Sequence, residues 1–375
     1  MRRWLGPADG GAVYAPPGYL LFTRDGRLLA QAFDRSAMRL SGEPVQVAPQ
    51  TVASSTRVPP SFSASTTGVL IYHVGRPFRN QLAWFSRSGR EIERPLDAGS
   101  YFGPALSPDG QHVAVYLADP QIAVWHFDLT RRLFSRRTSE PAVTTGAVWS
   151  PDAHDVVFAA NEQSTYGIYT MRLHGGSPQR VLSAAKAVVP TDWSTDRRIV
   201  IYQTREPDTG SDVWVLPLAG DAPPRPFARS RFNERDARLS PNGRWMAYAS
   251  DETGAFEVYV QSFMSPGIKW QISSGGGWGP VWRRDGSEIF YLSRDGRLMA
   301  VAVESGTRFQ AAAPTALFRV PGEIADESAA SYAITADAQR FLLNLAAPDR
   351  AKLPPFRAEV VVNWLSELKR RGGNP

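Results

Sequence analysis

The peptide Ser107-Pro108-Asp109-Gly110 recurs along the chain in altered form and at a nearly constant interval. Ser150-Pro151-Asp152-Ala153 follows, then Ser194-Thr195-Asp196-Arg197, Ser240-Pro241-Asn242-Gly243, Arg284-Asp285-Gly286 and Ala336-Asp337-Ala338. Between the Asp or Asn positions the spacings are 43, 44, 46, 43 and 52 residues. Each copy sits between short apolar runs, such as Val148-Trp149 before one turn and residues 156–159 after it. Two weaker copies lie upstream, Ser65-Thr66-Thr67-Gly68 and Tyr14-Ala15-Pro16-Pro17-Gly18, which makes eight first-hairpin turns. Repeats of about 40–50 residues with several strands each point to a β-propeller.

The turn has a physical reading. Proline presets φ near −65° at the second position, Asp or Asn caps its own backbone, and glycine takes the positive φ that follows. Set between apolar runs, the turn joins the first two strands of a blade. One capping role explains all the recurring aspartates together, so they are read as structural rather than catalytic.

The expected architecture is all-β, a single propeller over residues 1–375 built from four-stranded antiparallel blades. Repeats are placed at about 11–50, 61–98, 101–140, 144–184, 189–230, 235–274, 278–320 and 330–365. The last contains only three strand-like runs, 332–335, 341–345 and 359–364, and an orphan run at 2–5 precedes the first. Eight blades closed by strand exchange between the termini fit this count. Seven is the alternative if the first repeat does not form a full blade. A short helical tail is expected at 364–371, ahead of Gly372-Gly373.

Composition narrows the function classes. The chain has no cysteine, which excludes disulfides, thiolate metal sites and a cysteine nucleophile. The net charge of +6 comes almost wholly from arginine, densest at Arg131-Arg132-Leu133-Phe134-Ser135-Arg136-Arg137. That run reads as a charged outer strand that discourages edge pairing, rather than a nucleic-acid patch. No apolar run is long enough for a membrane helix, and no apolar segment follows Met1-Arg2-Arg3 as a signal peptide requires. The expected location is cytoplasmic, or extracytoplasmic if the chain is the tail of a membrane-anchored receptor kinase.

The turns, together with Arg244-Trp245-Met246-Ala247-Tyr248-Ala249-Ser250-Asp251-Glu252, Asp212-Val213-Trp214-Val215-Leu216-Pro217-Leu218 and Lys269-Trp270-Gln271-Ile272-Ser273, resemble TolB-type, WD40-like propeller repeats. With its Val361-Val362-Asn363-Trp364-Leu365-Ser366-Glu367-Leu368-Lys369 ending, the chain is similar to the C-terminal propeller region of many bacterial serine/threonine protein kinases. The resemblance runs from about Tyr14 onward. It implies a sensor or protein-interaction role in signalling. Kinase activity does not carry over, because the chain has no glycine-rich phosphate loop, His-Arg-Asp catalytic loop or Asp-Phe-Gly.

Other chemistry finds little footing. There is no Gly-x-Ser-x-Gly elbow, and His73, His112, His126, His154 and His174 show no metal-ligand spacing, so neither metal nor cofactor is expected. Trp149, Trp193 and Trp282 share a register with Leu106 and Leu239, which reads as packing between blades rather than a ligand cage. The candidate recognition surface lies on the loops leading into the inner strands, which gather at one end of a propeller's channel. It comprises Tyr101, Phe102, Asp192, Phe232, Asn233, Glu234, Arg235, Asp236 and Trp278, aromatics mixed with polar groups that either bind a partner or plug the channel. The reading is a non-catalytic binding or scaffolding module with a protein or peptide partner, monomeric unless fused to or paired with an upstream kinase or regulator. The rivals are a propeller hydrolase or lyase using Glu234 and Asp236, and a TolB-like accessory protein of the cell envelope.

Overall fold

The computed structural model describes residues 5–6, 12–24, 27–48, 62–74, 79–118, 122–138, 143–162, 165–173, 175–220, 222–263, 267–324, 331–347 and 357–370. The chain divides into two compact units, one spanning Asn80–Ala347 and the other combining Met1–Arg79 with Pro348–Pro375. The orphan run at 2–5, apart from Leu5, lies outside the described residues.

Strands β1 (Ala12–Ala15), β2 (Tyr19–Arg24), β3 (Arg27–Asp34) and β4 (Arg39–Gln46) form the first sheet. The hairpin β5 (Phe62–Ala64) and β6 (Val69–Val74) follows, then β7 (Asn80–Ser86) and β8 (Glu91–Glu93). The next sheet holds β9 (Tyr101–Leu106), β10 (His112–Ala118), β11 (Ile122–Asp128) and β12 (Leu133–Arg136). Then come β13 (Val143–Trp149), β14 (Asp155–Glu162), β15 (Thr165–Arg172) and β16 (Gln179–Ala184). A further blade holds β17 (Val188–Trp193), β18 (Ile199–Glu206), β19 (Gly210–Pro217) and β20 (Arg225–Ala228). After it stand β21 (Glu234–Leu239), β22 (Trp245–Ser250), β23 (Glu257–Ser262) and β24 (Lys269–Gln271). In the next, β25 (Gly277–Trp282), β26 (Glu288–Ser293) and β27 (Arg297–Ser305) are completed by β28 (Phe309–Ala311) and β29 (Thr315–Arg319), both paired to β27. The chain ends with β30 (Tyr332–Ile334), β31 (Arg340–Ala346), β32 (Arg357–Val362) and the helix α1 (Trp364–Arg370).

Closure departs from the expectation. The run at 359–364 does not complete the last blade. Instead β31 pairs with β7, Phe341 opposite Phe85 and Leu343 opposite Ala83, giving a sheet ordered β30-β31-β7-β8. Strand β32 pairs with β6, in a three-stranded sheet ordered β32-β6-β5. The repeats at 61–98 and 330–365 have thus exchanged halves. In consequence the described residues of Asn80–Ala347 form six blades closed into a ring, where one ring of eight was expected, and the other two described sheets belong to the second unit. Repeat spacing counts hairpins; it does not reveal which strand each hairpin pairs with.

The core of the ring lies between blades. Successive side chains on a strand face opposite sides, so a strand buried on both faces reads as a continuous apolar run. On β14, Val156, Phe158 and Ala160 pack toward the preceding blade with Tyr116 and Val124, while Val157 and Ala159 pack toward the following one with Val200 and Tyr202. Six such clusters each straddle two neighbouring blades, the last joining Leu82, Trp84 and Leu342 to Val113, Val115 and Phe127. In the second unit, Trp364 and Leu368 of α1 pack with Tyr19, Leu21 and Tyr72.

Candidate functional site

The inner strands of all six blades line one axial cavity of about 450 Å³. Its mouth is ringed by the first-hairpin turns, through Pro108, Pro151, Thr195, Pro241, Arg284 and Ala336. Trp149, Trp193 and Trp282 stand in its wall. The sequence reading assigned these rings to packing between blades, and they do pack there, but the same rings also face the cavity. Their indole N–H groups are tied down: Trp149 Nε1 donates to Ala105 O at 2.9 Å and Trp282 Nε1 to Arg238 O at 3.0 Å. What they offer the cavity is therefore an apolar face.

At the opposite end the channel narrows to a space of about 50 Å³. The register of β9, β13, β17, β21 and β25 slips by a bulge on the way through each strand. Gly103, Gly146 and Gly279 take left-handed φ of 53°, 69° and 62° at three of these bulges. A Cβ at Gly146 would come within 2.7 Å of Val189 Cγ1, so the close approach of neighbouring blades also demands glycine there. In β21 the left-handed position is Asp236, at φ 58°. Aspartate is among the few other residues that tolerate this conformation.

Seven of the nine sequence-predicted site residues lie inside inner strands rather than on leading loops. Tyr101 and Phe102 belong to β9, Asp192 to β17, Glu234, Arg235 and Asp236 to β21, and Trp278 to β25. The bulges interrupt the period-2 alternation, which hides the first half of each strand from a sequence reading. Tyr101, expected to be exposed, is buried against Phe134, with ring centroids 6.2 Å apart. Its carbonyl accepts from Asn80 Nδ2 at 2.7 Å and Asn344 Nδ2 at 2.9 Å. Phe102 packs beside Tyr116, and Trp278 packs beside Phe290 and Tyr332. Asn233 is a clip: its N and Nδ2 donate to Asp251 at 2.8 and 2.7 Å, and its Oδ1 accepts from Ser211 N. Phe232 is half-buried, under the Arg231 guanidinium. Arg235 lies 4.0 Å over the Phe256 ring and 3.5 Å from Asp236. Glu234 is buried and held by Ser230, whose hydroxyl donates to it at 2.5 Å.

Two of the nine reach the axial spaces. Asp192 lines the wide cavity and Asp236 the narrow end. Arg238, which the sequence reading passed over, lines both. Asp192 Oδ2 accepts from Leu239 N at 2.7 Å, while its Oδ1 stands 3.9 Å from Arg238 NH1. Burial pushes the Asp192 carboxyl above the usual range, against the pull of Arg238. Burial likewise raises Glu234, against the Ser230 hydrogen bonds. Among the described residues no cluster of three or more His, Asp or Glu is placed to hold a metal ion. No helix among them is long and apolar enough to cross a membrane.

No protein-family model matches the chain. Among solved structures, a putative TolB from Agrobacterium tumefaciens matches at 16% identity and a TM-score of 0.56, covering 73% of this chain and 100% of that one. TolB from Acinetobacter baumannii matches at 15% identity and a TM-score of 0.50, covering 78% and 77%. An oligogalacturonate lyase in complex with manganese reaches 0.50 at 12% identity, covering 78% and 97%. At such identities the likeness is one of fold: this chain shares the β-propeller architecture of the TolB-type proteins.

Proposed function

We propose that the protein is a non-catalytic binding and scaffolding module, a sensor or protein-interaction propeller of bacterial signalling systems, whose partner is a protein or peptide. The observation that carries this reading is the axial cavity. Its volume of about 450 Å³ falls in the range of ligand sites, and it joins three anchored tryptophans to a few polar groups. Tryptophan and arginine are the residue types that most often dominate recognition energetics.

The test fills the mouth without disturbing the core. Thr195 and Ala336 are exposed at the rim of the cavity. The double change Thr195→Trp, Ala336→Trp is expected to abolish capture of the partner recovered by the wild-type protein, with circular dichroism and melting unchanged. Charge reversal at Arg131 and Arg132, on the outer edge of a blade, is expected to leave capture intact. A blocked variant that still holds the partner would remove the cavity from consideration.

The enzymatic rival, a hydrolase or lyase using Glu234 and Asp236, draws on the raised Glu234 carboxyl, the protonation bias of a general acid. Turnover lost specifically in Glu234→Gln would establish it instead.

A further inference from the structure

Arg238 stands where the wide and narrow parts of the axial channel meet, together with Val281 and Tyr332. Its side chain is 24% exposed, and among the described residues it makes no side-chain hydrogen bond. The neighbouring carboxylate pairs with it only at long range: Asp192 commits one oxygen to the Leu239 amide and holds the other 3.9 Å from the guanidinium, an ion pair without a hydrogen bond. A guanidinium stays charged at any accessible pH and presents its donors in a planar fork that matches a carboxylate. Beyond it the channel offers only about 50 Å³, room for about one or two waters. The wide cavity is therefore a pit, apolar and aromatic along its walls, with a cation at its floor. A chain end fits such a pit, whereas the middle of a chain has no way through.

We propose that the pit captures the C-terminal carboxylate of a peptide whose last residues are apolar or aromatic. The terminal carboxylate meets Arg238, and the apolar side chains lie against Trp149, Trp193 and Trp282. Charge complementarity selects the occupant. The Arg238 fork, which makes no hydrogen bond to Asp192, matches the two oxygens of a single carboxylate, whereas a phosphate dianion would bring a second negative charge up against Asp192. Capture of a C-terminal carboxylate is a recurring mode of peptide recognition.

This inference rests on the axial cavity being the working site, and the experiment separates the two. Isothermal titration of the full chain with N-acetyl-alanyl-leucyl-phenylalanine is compared with the same peptide as its C-terminal amide and with 3-phenylpropionate. The acid peptide is expected to bind at least about tenfold tighter than the amide, the usual worth of a hydrogen-bonded charge. It should also bind tighter than 3-phenylpropionate, and Arg238→Gln should erase the acid–amide difference. Equal binding of acid and amide, both abolished by Thr195→Trp, Ala336→Trp, would overturn carboxylate capture and leave the cavity reading standing. Equal binding of 3-phenylpropionate and the acid peptide would overturn the peptide assignment. Binding of neither peptide would overturn the proposal outright. If Arg238→Gln does not fold, the acid–amide comparison on the wild-type chain decides alone.

Discussion

The Ser150 hydroxyl donates to Asp152 at 2.6 Å and accepts the Asp155 amide at 2.9 Å, while Asp152 accepts the His154 amide at 3.2 Å. The same pair recurs as Ser194 with Asp196, Ser240 with Asn242 and Thr335 with Asp337. Sequence reasoning credited the cap to the acid alone; the structure shows the buried hydroxyl to be its equal partner. Ser150 is the largest cause holding Asp152 below the usual carboxylate range, as Ser194 is for Asp196 and Thr335 for Asp337. Depressed folded-state values give stability that is present above the ordinary carboxylate range and is lost as the pH falls through the lowered one. Asp192 and Glu234 run the other way. Burial raises both, so each costs stability once the pH rises above its unfolded-state value. Asp152→Ala is expected to cost about 1 kcal/mol at pH 7 by urea unfolding, with the deficit shrinking in acid as the wild-type carboxylate protonates. Loss of partner binding at unchanged stability would make this aspartate functional instead.

At the scale of elements, the exchanged strands carry the closure. Asn80 opens β7 and Asn344 lies on β31, strands distant in sequence, yet both side chains are buried and donate to one carbonyl, that of Tyr101 on β9. The closing sheet is thereby pinned to the first complete blade by polar contacts inside an apolar interface. Removing one of the donors takes away a buried hydrogen bond while the Tyr101 carbonyl keeps the other, at a cost of about 1 kcal/mol. Asn344→Leu should therefore lower the unfolding free energy by that amount in denaturant titration. Hydrogen exchange should show the β9 and β31 amides opening before those of β14 or β22. Uniform protection in the variant would mean the seam is no weaker than the other blade junctions.

For the whole chain, every one of the six inter-blade clusters of the ring is composed of residues between 80 and 347. Hydrogen-bonded closure of β31 on β7 also lies within those limits. A ring that owns its core and its closure meets the condition for folding as a domain. Residues 80–347 expressed alone are expected to give a monomeric, β-rich protein with a cooperative melt. An aggregating or unfolded fragment would show that the ring depends on the remainder of the chain.

Much of this architecture was legible in the residues. Turn chemistry at Asp109, Asp152, Asp196, Asn242 and Asp337 is local, set by φ preferences and side-chain caps within five residues, and the near-continuous apolar runs beside the turns show strands buried on both faces. The number of first hairpins follows from these signals. Pairing does not. Whether β7 or β32 completes β31 depends on a contact between strands far apart in sequence, to which a repeat spacing is blind. The site was obscured for a related reason. Trp149, Trp193 and Trp282 serve the inter-blade core and the cavity at once, and only the closed ring, which brings six inner strands around one axis, turns a packing register into a wall with Arg238 at its floor.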